Sequence, residues 1–181
     1  MIDQEKISLM SETRQAIKAA KKAGEEVLKI YKEDFDFILK EDKEPVTDAD
    51  IRSNKMIEKI LSVFNYPILS EESRDDLNRL KQKKVWIIDP LDGTIEFVNK
   101  TGEFSIMIAL VENHTPKACV IYQPTQKLMY LAEKGKGAYQ EKDGAWEKLK
   151  VNPSYNISSI KAITSRADLS EQEKQEAVVV G

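Results

Sequence analysis

Between about Gln4 and Tyr31, Ile7, Met10, Ile17, Ala20, Val27 and Tyr31 recur at helical spacing, while lysine and glutamate fill the other face. This predicts one long amphipathic helix with a solvated charged side. Phe35, Phe37 and Leu39 then alternate with Asp36, Ile38 and Lys40, the pattern of a half-buried strand, and Glu41 to Glu44 is a polar connection. Glu44-Pro45-Val46-Thr47-Asp48-Ala49-Asp50 opens a second helix. Thr47 suits the N-cap, and Asp48 and Asp50 fall in the first turn, where negative charge is favoured. Ile51, Met56, Ile57, Ile60, Leu61 and Phe64 supply its buried stripe.

Pro67 to Leu69 is a short apolar strand running into Ser70-Glu71-Glu72-Ser73. A helical segment from about Ser73 to Lys83 carries Leu77 and Leu80, and Val85 to Ile88 follows as a buried strand ending at Asp89. Further on, Phe104, Ile106, Ile108 and Leu110 alternate with Ser105, Met107 and Ala109, and Ala118–Tyr122 and Leu128–Ala132 make two more strands. Gly135, Gly137 and Asp143-Gly144 mark tight turns in an antiparallel meander. Neither the Walker nor the dinucleotide glycine spacing is present. Ser158 to Thr164 is a strand pattern, Ser170 to Ala177 a short helix, and Val178-Val179-Val180 looks like the start of a buried strand cut short at Gly181. The fold class is therefore layered α+β: two long helices on a mostly antiparallel sheet of about six strands, with an incomplete second α/β part. The domain division expected is 1–155 and 156–181, the latter truncated.

Composition narrows the chemistry. The chain has 181 residues, 41% hydrophobic and 33% charged, with a net charge of −3. A nucleic-acid polymer calls for a basic excess, which is lacking here. No apolar run approaches the roughly 18 residues of a membrane span, and the acidic start Met1-Ile2-Asp3-Gln4-Glu5 lacks the features of a signal peptide. The lone Cys119 has no internal disulfide partner, which suits a reducing cytoplasm. One His and one Cys do not build the usual zinc sites. His114 lies in Glu112-Asn113-His114-Thr115-Pro116, a turn between strands, and reads as a plain surface residue. Chemistry here falls to carboxylates, hydroxyls and a metal.

The stretch Trp86-Ile87-Ile88-Asp89-Pro90-Leu91-Asp92-Gly93-Thr94-Ile95-Glu96-Phe97 concentrates those groups. Two aspartates end a strand, and glycine with outward-facing N–H groups follows. That arrangement suits a hard cation with a phosphate beside it. Asp50 has two readings, a dipole-matched helix start or a partner of this stretch. Glu72 is either a support for Glu71 or simply solvated; Glu96 either closes the site or pairs with a surface lysine.

Pro45-Val46-Thr47-Asp48-Ala49-Asp50, Leu69-Ser70-Glu71-Glu72-Ser73 and Asp89-Pro90-Leu91-Asp92-Gly93-Thr94, in that order and spacing, resemble the inositol monophosphatase superfamily of magnesium-dependent, lithium-sensitive phosphatases. Gly93-Thr94-Ile95-Glu96-Phe97, Gly102-Glu103-Phe104-Ser105 and Ile108-Ala109-Leu110 look most like its bacterial 3′(2′),5′-bisphosphate nucleotidases of the CysQ type, which remove the 3′-phosphate of 3′-phosphoadenosine 5′-phosphate in sulfur metabolism. Inositol monophosphatases tend to have Asn where this chain has Glu96.

The resemblance implies that Glu71, Asp89, the Leu91 carbonyl and Asp92 hold magnesium, two or more ions in a complete site and one or two in this chain. It implies that Glu71, Leu91, Asp92, Gly93 and Thr94 meet the substrate phosphate, and that Thr94 and Asp50 pair to activate the attacking water. The partner expected is a small phosphorylated nucleotide or sugar. Homo-oligomers and peripheral attachment at the inner membrane stay open. The resemblance covers about the first two-thirds of a typical member, so this chain is expected to lack a Trp-Asp motif that completes the second metal site. Two alternatives remain: an inositol or fructose-1,6-bisphosphate phosphatase, and a non-catalytic metal-binding or assembly module.

Overall fold

The computed structural model describes residues 7–33, 35, 37–39, 45–75 and 77–151. The chain divides into Met1–Leu149 and Lys150–Gly181. Nearly all of the second unit lies outside the described residues, as do the expected strand Ser158–Thr164 and helix Ser170–Ala177.

Helix α1 spans Ser11–Tyr31 and α2 spans Asp48–Leu61. The start of α1 is set by tertiary partners: the Met10 N–H and the Thr13 hydroxyl both donate to Glu133. The buried face of α1 is Ala16, Ile17, Ala19, Ala20, Ala23, Gly24 and Val27. Such small residues let the helix lie close to the strands beneath it. A Cβ on Gly24 would come within 2.6 Å of the Tyr122 ring.

Strand β1 (Phe37–Leu39) pairs antiparallel with β2 (Pro45–Thr47) in a separate two-stranded ribbon. Phe37 is exposed, where the alternation puts it on the buried side. The main sheet has seven strands in chain order, β3 (Ile68–Ser70), β4 (Lys84–Asp92), β5 (Ser105–Glu112), β6 (Thr115–Gln123), β7 (Leu128–Glu133), β8 (Gly137–Lys142) and β9 (Ala145–Lys148). Among the described residues only the β3–β4 pair of this sheet is parallel. The two long helices pack on one another; α1 contacts β5 and β6, and α2 contacts β4. The core between helices and sheet holds Trp86, Ile88, Ile106, Ile108, Leu110, Val120, Met129 and Leu131, the inward positions of period-two strands. On the opposite face Ile87, Ile121 and Tyr130 stand exposed.

Four further sequence expectations change. The expected helix from Ser73 to Lys83 is only a 3₁₀ turn, Asn78–Lys81. Leu77 has φ +62°, which a helix cannot continue through, and Leu77 and Leu80 are 57% and 63% exposed, so no buried face holds the segment. Ile51 stands in solvent instead of joining the α2 stripe. Val85–Ile88 is buried on one face, not both. Pro45–Thr47, expected to open α2, pairs first as β2. His114 lies in a left-handed turn beside Asn113, as its sequence setting indicates.

Candidate active site

Three segments meet at the C-terminal end of β4. The first is the end of β4 itself. Asp89 faces Met107 and Asp92 faces Ser105, so three steps on β4 oppose two on β5. This is a bulge, and Pro90 within it has no N–H to contribute to the ladder. Three local hydrogen bonds hold it. Asp89 Oδ1 accepts from the Leu91 N–H (3.1 Å), the Ser53 hydroxyl donates to the Pro90 carbonyl (2.6 Å), and the Ser105 hydroxyl donates to Asp92 Oδ2 (3.3 Å).

Gly93 follows with φ +86°, and a Cβ there would sit 2.9 Å from the Glu103 carbonyl oxygen. Both the backbone and the space require glycine. Short helix α3 (Thr94–Val98) begins at once, its first bond running from the Phe97 N–H to the Gly93 carbonyl (2.9 Å). The N–H groups of Thr94, Ile95 and Glu96 therefore have no acceptor within the helix.

The second segment is the start of α2. Thr47 caps it, and Asp50 closes a capping box, its Oδ2 accepting from the Thr47 N–H (2.7 Å) and hydroxyl (2.6 Å). Asp50 Oδ1 lies 3.2 Å from the Thr94 hydroxyl oxygen. Both readings of Asp50 are thus realised in geometry: it starts the helix and it faces Thr94. It is 2% exposed, and burial raises its pKa against the lowering effect of Thr47, with the nearby Glu72 charge adding to the rise. The Thr94 hydroxyl also lies 3.1 Å from the Leu91 carbonyl. It has one hydrogen, so it donates to Asp50 or to Leu91, not fully to both.

The third segment is the turn after β3. Glu71 is exposed and hydrogen-bonded to Asp89. Glu72 is half-buried and not simply solvated. Glu71, Asp89, Leu91, Asp92, Gly93 and Thr94 line one cleft of about 190 Å³ together with Ile95 and Glu96. Asp50 sits behind Thr94, under the floor. Ser53, Asn54 and Ser105 also belong to this constellation and were missed in the sequence. For the first two a signal existed, because both lie on the helix face that Ile57 and Leu61 define as buried.

The pattern of the inositol monophosphatase family matches residues 9–180. This chain belongs to the inositol monophosphatase family. It is 39% identical over 137 residues to a 3′(2′),5′-bisphosphate nucleotidase CysQ of Aggregatibacter actinomycetemcomitans, covering 74% of this chain and 51% of the relative. With the Escherichia coli K12 protein of the same name it shares 35% identity over 142 residues, 76% of this chain and 57% of the relative. It therefore spans little more than half the length of these relatives. Among solved structures, CysQ of Bacteroides thetaiotaomicron superposes with a TM-score of 0.75 at 34% identity, covering 93% of this chain and 68% of the other. A Thermotoga maritima IMPase gives 0.70 at 31%, covering 80% and 55%.

Members of this family generally use Mg²⁺, and the donors present fit a hard cation. Glu71, Asp89 and Asp92 offer carboxylate oxygen, Leu91 a carbonyl, and neither nitrogen nor sulfur intrudes. Burial, followed by the charges of Glu71 and Asp92, pushes the pKa of Asp89 up to about 7. Crowded carboxylates without positive charge between them disfavour ionisation, and Asp89 carries that effect here. Among the described residues no three His, Cys, Asp or Glu side chains are placed closely enough to hold a metal ion between them.

A pH dependence follows. Asp89 keeps its proton in the folded chain up to about pH 7, whereas its ordinary value is 3.8. The folded state binds more protons across that window, so the stability of metal-free protein falls as pH rises from about 4 to 7 and then levels off. Asp50, also raised, adds in the same direction. Glu12 opposes this fall only at its acidic end: burial pushes its pKa up, but the Lys84 ammonium and nearby donors bring it to about 2, so its contribution grows as pH rises through the ordinary 4.5 and is level above that. Melting temperatures in chelator should therefore fall from pH 5 to pH 8, and the increment from added Mg²⁺ should grow. An increment independent of pH would separate Asp89 from the cation site.

Proposed function

We propose that this chain is the metal-binding part of a Mg²⁺-dependent phosphomonoester hydrolase that removes the 3′-phosphate of 3′-phosphoadenosine 5′-phosphate. Its foundation is the Thr94 hydroxyl 3.2 Å from the buried Asp50 carboxylate, at the edge of the cleft that carries Glu71, Asp89 and Asp92. The likeness to proteins named CysQ nucleotidases supports the substrate.

In this proposal Glu71, Asp89, the Leu91 carbonyl and Asp92 hold the ions. Bound Mg²⁺ supplies a lowered water pKa and neutralises charge on the attacking and leaving oxygens. The rest is done by the chain. Gly93 lets the phosphate reach the backbone, and the N–H groups at the start of α3, which have no acceptor within the helix, receive its oxygens. With the Leu91 carbonyl engaged elsewhere, the Thr94 hydrogen turns to Asp50. Thr94 Oγ1 then takes a proton from water as it passes its own to Asp50, and the water attacks phosphorus in line with the departing ribose oxygen. Burial that raises the pKa of Asp50 makes it a stronger base for this relay.

Phosphate release tests this on the 181-residue chain and on a version extended to the length of its nucleotidase relatives. The substrates are 3′-phosphoadenosine 5′-phosphate, inositol 1-phosphate and fructose 1,6-bisphosphate, each with Mg²⁺. The nucleotide is expected to be hydrolysed with the highest kcat/KM. Preference for either sugar phosphate replaces the substrate and keeps the chemistry. Activity confined to the extended version makes the present chain a metal-binding module of the enzyme. Inactivity of both overturns the proposal.

A further inference from the structure

One face of α2 touches both of the other segments of the site. Asp50 reaches Thr94, Ser53 donates to the Pro90 carbonyl, and Asn54 reaches the turn that carries Glu71. These positions are i, i+3 and i+4, neighbours on a helix surface. Asn54 is 6% exposed and all its bonding capacity toward that turn is used. Its Oδ1 accepts from the Ser70 hydroxyl (2.6 Å), and its Nδ2 donates to the Ser73 hydroxyl (3.1 Å) and to Glu58 Oε1 (3.0 Å). The Ser73 hydroxyl donates in turn to Glu58 Oε1 (2.9 Å), and Ser70 Oγ accepts the Glu72 N–H (3.2 Å). Since a carboxylate only accepts, Glu58 fixes which end of the amide faces which serine.

The residues on both sides of Glu71-Glu72 are thus tied to one side chain. Asparagine is a poor interior helix residue, and burying an amide is costly unless it is bonded. Nothing in α2 itself calls for it. Glu71 is exposed on a short turn, where freedom of backbone and side chain would otherwise blur its position relative to Asp89.

We propose that Asn54 is a positioning residue for Glu71, bracing the Ser70–Ser73 turn against α2 so that the Glu71 carboxylate is held beside Asp89. The proposal rests on Glu71 being a cation ligand, as proposed above.

Asn54→Ala, Ser70→Ala and the double variant test it, with Thr13→Val as a control that removes a different buried hydroxyl bond, to Glu133. Two measurements are made: amide hydrogen exchange of metal-free protein, and Mg²⁺ affinity by titration. Asn54→Ala should speed exchange at Glu72 and Ser73 by roughly tenfold, as expected for a lost hydrogen bond. It should weaken Mg²⁺ binding by about 10- to 100-fold, the usual cost of losing a residue that orients a ligand. The double variant should be little weaker than either single one, because both break one link. Thr13→Val should lower the melting temperature and leave both readouts in place. A lowered melting temperature in Asn54→Ala with unchanged exchange and affinity overturns the proposal, as does full additivity of the two single changes. Faster exchange in a chain whose wild type binds no Mg²⁺ keeps Asn54 as the brace and removes Glu71 as a ligand.

Discussion

Replacing Asp50 by Asn is expected to lower phosphomonoester turnover by roughly 10²- to 10⁴-fold, the contribution of a positioned acid–base group, with Mg²⁺ affinity little changed. Asparagine keeps the shape and one acceptor. That acceptor is claimed by Thr47, whose N–H and hydroxyl both point at Asp50 Oδ2. The amide NH₂ is then left facing Thr94, where it donates to the hydroxyl oxygen instead of accepting from it. The Thr94 hydrogen turns to the Leu91 carbonyl, and its oxygen loses the lone pair that would take a proton. Geometry survives and the direction of the relay is reversed. The fold should tolerate the change, because the lost charge-assisted bonds are offset by removing a desolvated carboxylate that feels Glu72. Turnover is measured in the longest active version, beside a Mg²⁺ titration. Unchanged turnover removes the dyad. A parallel loss of Mg²⁺ affinity reassigns Asp50 to holding the ion site.

The sequence makes the oxygen donors legible because they are contiguous or sit at element ends. Asp89, Asp92, Gly93 and Thr94 lie within six residues, and Asp50 and Glu71 are marked by a helix cap and a strand end. Their convergence is not legible. Short apolar runs identify β3 and β4 as strands without saying that they pair in parallel, and that pairing brings the Glu71 turn to the end of β4. Ser53 and Asn54 share the buried stripe of Ile57 and Leu61, but the groups they meet there are fixed only by how α2 packs against the sheet. The same limit explains the errors of the opposite kind. Leu77 and Leu80, and equally Ile51, match a helical stripe, but no neighbouring element covers them. Pattern gives the face a residue occupies; only packing decides what that face meets.

Phe97→Ala is expected to cost about 3–5 kcal/mol of stability, a large part of the roughly 5–15 kcal/mol that holds a domain together, and to weaken phosphate binding as well. Phe97 is fully buried, with ring centroids 4.8 Å from Phe35, 5.2 Å from Tyr31 and 5.1 Å from Phe104. It is the one buried residue of α3. Five residues cannot hold a helix by themselves, since nucleation is unfavourable and few bonds repay it. The N–H groups proposed to receive phosphate, and the Thr94 hydroxyl, therefore depend on this single ring for their position. Denaturant unfolding reads the stability, and titration with inorganic phosphate in the presence of Mg²⁺ reads the site at temperatures where the variant is folded. Phe97→Leu fills much of the same space and should recover most of the phosphate affinity at an intermediate stability. If Phe97→Ala loses stability while folded protein binds phosphate as wild type does, α3 is held by the Gly93 turn and not by its aromatic anchor.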